Sequence, residues 1–373
     1  DFSGRLNTVV FTIGMYFKLL LYPKPLVSAY GFGHFNLGNE LEPMVYLGLI
    51  GLAILMFLVV AARKRLPLLS VGAFILLIDI LPFSNLIENQ TSIFDEKVLF
   101  GATFGVCLMI ASILGGLFKV SPSSSLKLTY KNKPILSTLV LGVVCLASYQ
   151  TYSRNYDWVI DYTLTTNDAE VAENNAILNY QCGRYLREEY IKYPVRNIVA
   201  HVDSASYYLE RSISIYDQWA PPMIELGRLR LYDLDQPDVA LALFQKALKF
   251  DAFEIDTKLD IGECLMRLGR TSKAIEIYGE VLEVSAENIT AIDKIVWLYL
   301  NGNHLDEAEY VNQRFFQLHP TSHRPYEYQG QILMARGDSL NASKYFDEAL
   351  TRSGENPSEF LEEVISRSKP NTK

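Results

Sequence analysis

Long uncharged apolar runs fill the first 150 residues and then stop. Residues 43–62, PMVYLGLIGLAILMFLVVAA, carry no charge. About 20 helical residues at 1.5 Å each cross a ~30 Å hydrocarbon core, so this run predicts a membrane span. Similar runs occupy 66–82, 98–118 and 134–149. A fifth, 6–22, is interrupted by Lys18 and predicts either a span or a helix lying along the interface. Beyond residue 150 the chain turns polar and its apolar positions take the period of amphipathic helices.

In this second half the pattern repeats. Ala240, Ala274, Ala308 and Ala342 recur every 34 residues. Phe244, Tyr278 and Phe346 stand four residues after three of them, with Asn312 the exception. Leu226-Gly227, Ile261-Gly262 and Gln329-Gly330 fill a second paired position, from which Ile295-Val296 departs. Gly269, Gly302 and Gly337 are expected to mark the turns between paired helices, and Pro320 to close one unit. Each unit is expected to cross its two helices through small residues, Ala against Gly, and cannot bury its apolar face alone, so neighbours stack. The period and residue types are those of the tetratricopeptide repeat. NYQCGRYL (179–186) and SASYYLERS (204–212) read as an earlier, degenerate unit with a long internal loop, and FLEEVISRS (360–368) as a capping helix. The expected fold class is all-α: a multispan helical region (1–150), a junction with the degenerate first repeat (151–200), and an α-solenoid (201–373).

Charge decides the sidedness. Arg63, Lys64 and Arg65 follow the first run, and Lys119, Lys127, Lys131 and Lys133 follow the third. Positive loops face the cytoplasm, so residues 23–42, 83–97 and everything after 150 are expected on the outer face. The loop PFSNLIENQTSIFDEKVLF (82–100) carries Glu88, Asp95, Glu96 and Lys97. A charge at the bilayer centre costs about 2.5–3.5 kcal/mol, which puts this loop outside the hydrocarbon. Asp79 reads as interfacial, and Gly101, Gly105, Gly115 and Gly116 as sites of close helix packing. The expected location is a bacterial inner membrane with periplasmic repeats, or an endoplasmic reticulum membrane with lumenal ones.

Composition excludes several chemistries. A net charge of −8 without a basic stripe argues against nucleic-acid binding. Four cysteines without metal or redox spacing, and five scattered histidines, point to no metal site. Asn89-Gln90-Thr91, Asn288-Ile289-Thr290 and Asn341-Ala342-Ser343 match the N-glycosylation acceptor pattern. The repeat array is expected to bind a protein or peptide in its concave groove. By position on the inner helices, Arg228, Tyr232, Glu263, Arg267, Trp297, Asn301, Arg324, Glu327 and Gln331 point there.

The order of parts, and several short stretches, resemble the transmembrane tetratricopeptide-repeat O-mannosyltransferases and their bacterial relatives. YFKLLLYPKPLVSAYGF (16–32) resembles a stretch of that family, with Ala29 where the family has Asp. PFSNL (82–86) and FDEKVLFGATFGVCL (94–108) resemble two more, with Glu96 in place and Lys97 for Arg. TYSRNYDWVIDYTL (151–164) resembles the junction before the repeats, with Arg154, Asn155 and Trp158 kept. The resemblance implies a GT-C type membrane glycosyltransferase that moves a sugar from a polyprenyl-phosphate donor to outer-face proteins, the repeats holding the acceptor. Glu96, Lys97 and Asn85 are then candidates for the lipid-phosphate or sugar, at the outer bilayer surface. The family's catalytic acids lie in an N-terminal outer loop. The chain begins at Asp1, and is expected to be the C-terminal portion of a longer chain, inactive alone, with no catalytic residue assigned. The alternative is a non-enzymatic membrane-anchored scaffold recruiting partner proteins in an envelope assembly.

Overall fold

The computed structural model describes residues 2–24, 26–33, 37–82, 99–118, 134–158, 161–192, 198–250, 255–353, 358 and 361. Among them every regular element is a helix, and the expected all-α class is borne out. The chain forms two compact units, Asp1–Gln218 and Trp219–Lys373.

The first unit contains α1 (Phe2–Leu21), α2 (Leu37–Ala61), α3 (Pro67–Ile80), α4 (Leu99–Leu117), α5 (Pro134–Asp157), α6 (Asp161–Val171), α7 (Ala176–Lys192) and α8 (Ile198–Ile215). Among the described residues, three helices are long and apolar enough to cross a membrane: Pro43–Ala61, Leu99–Leu117 and Pro134–Tyr156. The apolar parts of α1 (Thr8–Leu21) and α3 (Pro67–Ile80) are shorter; the 14 residues of α3 reach about 21 Å. α1 does not lie on a surface. Val9, Phe11, Ile13, Tyr16 and Leu19 are buried in a core shared with α2, α3 and α4. α5 behaves oppositely, exposing Leu139, Val140, Leu141, Val143, Val144 and Leu146. An apolar helix exposed all round has a place in lipid or against further helices.

Glycine permits two close crossings. A Cβ on Gly14 or Gly48 would run into the backbone of α2 or α1, and one on Gly72 or Gly105 into the backbone of α4 or α3. In lipid, where no hydrophobic drive acts between helices, close approach of this kind favours their association. Gly105 fills the packing role expected of it, and Gly101 lies against the Asp79 carboxylate. Among the described residues nothing lies close to Gly115 and Gly116, because α3 is too short to reach that end of α4.

The second unit stacks four helical hairpins: α9 (Ala220–Arg228) with α10 (Pro237–Ala247), α11 (Ile255–Arg267) with α12 (Thr271–Val284), α13 (Ile289–Asn301) with α14 (Leu305–Leu318), and α15 (Arg324–Ala335) with α16 (Ser339–Ser353). The glycines do not meet alanine as expected: Gly227, Gly262 and Gly330 each lie under an aromatic ring of the paired helix, Phe244, Tyr278 and Phe346, because the missing Cβ leaves room for a ring. The third hairpin reverses the sizes: Val296 replaces glycine and the buried Asn312 replaces the ring. Asn312 then donates to the Pro325 carbonyl at 2.9 Å and to Gln329 at 3.3 Å. The turns need a left-handed residue every 34 positions, at Asp235 (φ 49°), Gly269 (69°), Asn303 (58°) and Gly337 (88°). Gly302 was expected in this series, but its φ is −80°. Asn303 takes the role, since Asn tolerates the left-handed region where most side chains do not.

The degenerate unit is α7 with α8, inside the first compact unit. Gly183 packs under Leu209 beside Ala205, the same small-against-large crossing. Of the expected capping helix only Leu361 is described; it is buried with Ala342, Phe346 and Ala349.

Candidate functional sites: a clamped loop and an inter-repeat ladder

Residues 26–33 join α1 to α2 and carry part of the stretch that bears the resemblance. They are bound to the α6–α7 corner by buried polar groups. Asp168 of α6, with a side chain 1% exposed, accepts the Ser28 backbone N–H at 2.6 Å. Its other oxygen lies 2.9 Å from Arg154 at the end of α5. One carboxylate thus ties two sequence-distant motif stretches together. Asn175 donates to the Ala29 carbonyl at 2.8 Å, while its Oδ1 accepts from the N–H groups of Ile177 and Leu178 and so caps α7. The Ala176 N–H donates to the Phe32 carbonyl at 2.9 Å. The Phe32 ring stacks on Tyr216 with centroids 4.0 Å apart. Gly33 (φ 77°) ends the segment where a side chain would meet Asn174 and Ile215. This loop covers an end of the α7–α8 hairpin, which a terminal repeat requires.

In the second unit, the inner helices are joined by a polar ladder. Asp260 of α11 accepts from Arg228 of α9 at 2.7 Å and from the Tyr232 hydroxyl at 2.7 Å. Lys294 of α13 donates to Glu263 of α11 at 2.8 Å. Arg324 of α15 makes two bonds to Asp293 of α13, at 2.7 and 3.1 Å. Ser358 donates to the buried Glu327 at 2.7 Å. Apart from Tyr232–Asp260, 28 positions apart, each rung links residues 31 or 32 positions apart, so each ties one repeat to the next.

The ladder moves proton affinities. Burial raises the affinity of Glu263 for a proton, but the bonds from Lys294 and Arg267 outweigh it and hold its carboxyl below the ordinary range. Burial works against the charge of Arg228 and Arg324, and the Asp260 and Asp293 carboxylates more than restore it. Burial first, then the bond to Asp260, pushes the Tyr232 phenol up. Burial likewise pushes the Cys264 thiol up to about 12, leaving it a packing residue rather than a nucleophile.

Arg267 has a separate task. Ala240 follows Gly227 by thirteen residues, where Ala274 follows Gly262 by twelve. The extra residue is absorbed by a π-helical turn, Leu229–Asp233, closed by the Leu234 N–H on the Leu229 carbonyl. Arg267 donates to the Leu231 carbonyl within that turn at 2.9 Å and to Asp235 at 3.0 Å.

Most residues expected to face a ligand are therefore engaged within the protein. Arg228, Tyr232, Glu263, Arg267, Arg324, Glu327 and Gln331 all bond to neighbouring groups. Trp297, 42% exposed, and the exposed Asn301 present open surface. The partners Asp260, Asp293 and Lys294 escaped the sequence reading, although opposite charges 31 or 32 residues apart were the available signal. Asp168 and Asn175 left no such signal. Asn85, Glu96 and Lys97 lie outside the described residues. Among the described residues, no three His, Cys, Asp or Glu side chains are placed to hold a metal ion.

These features define an all-α protein in which apolar helices precede a tetratricopeptide solenoid. Residues 255–288 match the tetratricopeptide-repeat family model. The resemblance read from the motifs is borne out by curated relatives. The chain is 26% identical to protein O-mannosyl-transferase TMTC3 of Mus musculus over 254 residues, covering 56% of this chain and 26% of that protein. It is 24% identical to TMTC3 of Homo sapiens over 287 residues (64% and 30%). It is 26% identical to TMTC1 of Homo sapiens over 234 residues (60% and 24%). The chain thus spans about a quarter of the length of the relatives it matches. Among solved structures, PilW, a type IV pilus biogenesis factor, is similar with a TM-score of 0.45 and 18% identity, over 58% of this chain and 94% of that one.

Proposed function

We propose that this chain is the repeat-bearing portion of a membrane protein O-glycosyltransferase. It works with a polyprenyl-phosphate-linked sugar, and its solenoid receives protein acceptors on the outer face. The observation that carries this reading is the meeting of two stretches on which the resemblance rests. Ser28 and Arg154, far apart in sequence, share the buried Asp168 carboxylate. The similarity to O-mannosyl-transferases of two mammals supports the same reaction class.

Lys97 has the chemistry to pair with a lipid-linked phosphate as a point charge, and Glu96 and Asn85 to orient it or the sugar. In the solenoid, acceptor contact falls first to Trp297 and Asn301, because the ladder already engages the other inner-face residues. An aromatic ring beside an exposed amide suits an extended peptide, which offers both apolar surface and backbone polar groups.

Mass spectrometry of outer-face proteins, with and without the intact gene, tests the reaction: hexose modifications should disappear with the gene. Unchanged modification would reject the enzyme reading. Lys97→Ala in the full-length protein should weaken donor-lipid binding, and unchanged affinity would remove Lys97 from the donor site.

A further inference from the structure

We propose that Asn288 is an N-glycosylation site, a modification that rests on the outer-face reading of the repeats and on the endoplasmic reticulum, rather than the bacterial, membrane. Three acceptor tripeptides occur in the sequence, and the fold separates them. Asn89 lies outside the described residues. Asn341 lies inside the first turn of α16, with its Nδ2 donating to Asp338 at 2.7 Å. The next residue of its tripeptide, Ala342, is buried in the hairpin core. A glycan there competes with an existing bond and crowds a packed face.

Asn288 differs on every count. It stands at the turn between α12 and α13, one residue before the helix begins. Its backbone is not helical, with φ −65° and ψ 106°. Its Oδ1 accepts the Ala291 N–H at 2.9 Å and caps α13. Its Nδ2 has no hydrogen bond within the described residues. Glu287, Ile289 and Thr290 around it are exposed. The cap uses the oxygen of the amide, and glycosylation uses the nitrogen. The two are compatible on one side chain.

The chemistry balances with a lipid-diphosphate-linked oligosaccharide as co-reactant. A bond forms between Nδ2 and the anomeric carbon. The anomeric C–O bond to the diphosphate breaks, the lipid diphosphate leaves, and Nδ2 gives up one proton. This reaction is carried out by the host membrane's own transferase, not by this protein.

The test is translation of the whole chain into endoplasmic reticulum microsomes, with Asn89→Gln and Asn341→Gln so that Asn288 is the sole natural acceptor. A flexible tail bearing a known acceptor tripeptide follows Lys373 in a parallel version. The expected result is one mobility shift, removed by peptide N-glycosidase and abolished by Asn288→Gln. Thr290→Ala should abolish it equally while keeping the helix cap. Should the tail be glycosylated and Asn288 not, the site is wrong although the topology stands. If neither is modified, the outer-face reading fails and the site with it.

Discussion

At the scale of single residues, the solenoid is specified by paired sizes. Gly262 sits where a Cβ would lie 2.5 Å from the Tyr278 ring, whereas Gly279, also helical, has open space around it. The same substitution at these two glycines should therefore have opposite signs. Gly262→Ala forces the ring to move and should lower stability by roughly 1–3 kcal/mol. Gly279→Ala gains helix propensity and should raise it by about 0.5–1 kcal/mol. Denaturant unfolding of the two variants decides this, and equal effects would contradict the packing described. The third hairpin shows the same rule inverted, Val296 against Asn312. Both exceptions were visible in the sequence, but not that Asn312 is buried with its amide spent on Pro325 and Gln329.

At the scale of elements, neighbouring inner helices are held by rungs as well as by apolar contact. Glu263 receives Lys294 and Arg267, and its carboxyl is held below the ordinary range. A group with a depressed folded pKa binds fewer protons folded than unfolded. Its stabilisation is present above the unfolded value and is lost as pH falls through the folded one. Stability of the repeat unit should accordingly decline below about pH 4.3, the ordinary glutamate value. Glu263→Gln should cost about 1–3 kcal/mol at neutral pH and flatten that acid limb. Urea midpoints from pH 3 to 7 provide the measurement, and a parallel acid limb in the variant would assign it elsewhere. The π-helical turn was legible only as one surplus residue in a 34-residue count. That the surplus is held as a bulge capped by Arg267, rather than looped out, depends on α11 lying alongside.

At the scale of the whole molecule, the decisive feature lies within the first unit, where the loop after α1 is fastened to helices more than 130 residues later. Asp168 is the fastening. Asp168→Ala leaves Arg154 and the Ser28 N–H without their shared acceptor, and breaking a buried pair typically costs about 3–5 kcal/mol. Limited proteolysis of the membrane-inserted protein should then cut within residues 22–33, where the parent resists. Asp168→Asn, which keeps an oxygen for Ser28 but loses the charge for Arg154, should fall between. Identical cleavage in all three would mean that the loop is held by its apolar contacts alone, through Val27 and Tyr30.

The sequence by itself determined what is local and periodic: the helical class, the apolar helices and the 34-residue hairpins. Each follows from patterns within a few turns of helix, where physics acts on neighbours in the chain. Tertiary structure alone decided which polar side chains are engaged and which are open. Arg228, Glu263 and Arg324 look like groove residues in isolation, yet they bond to carboxylates or a lysine one repeat away. The same holds for Asp168, whose partners are chosen by the packing of α5, α6 and the loop. A side chain's periodicity tells its face; its partner is set by which other helix that face meets.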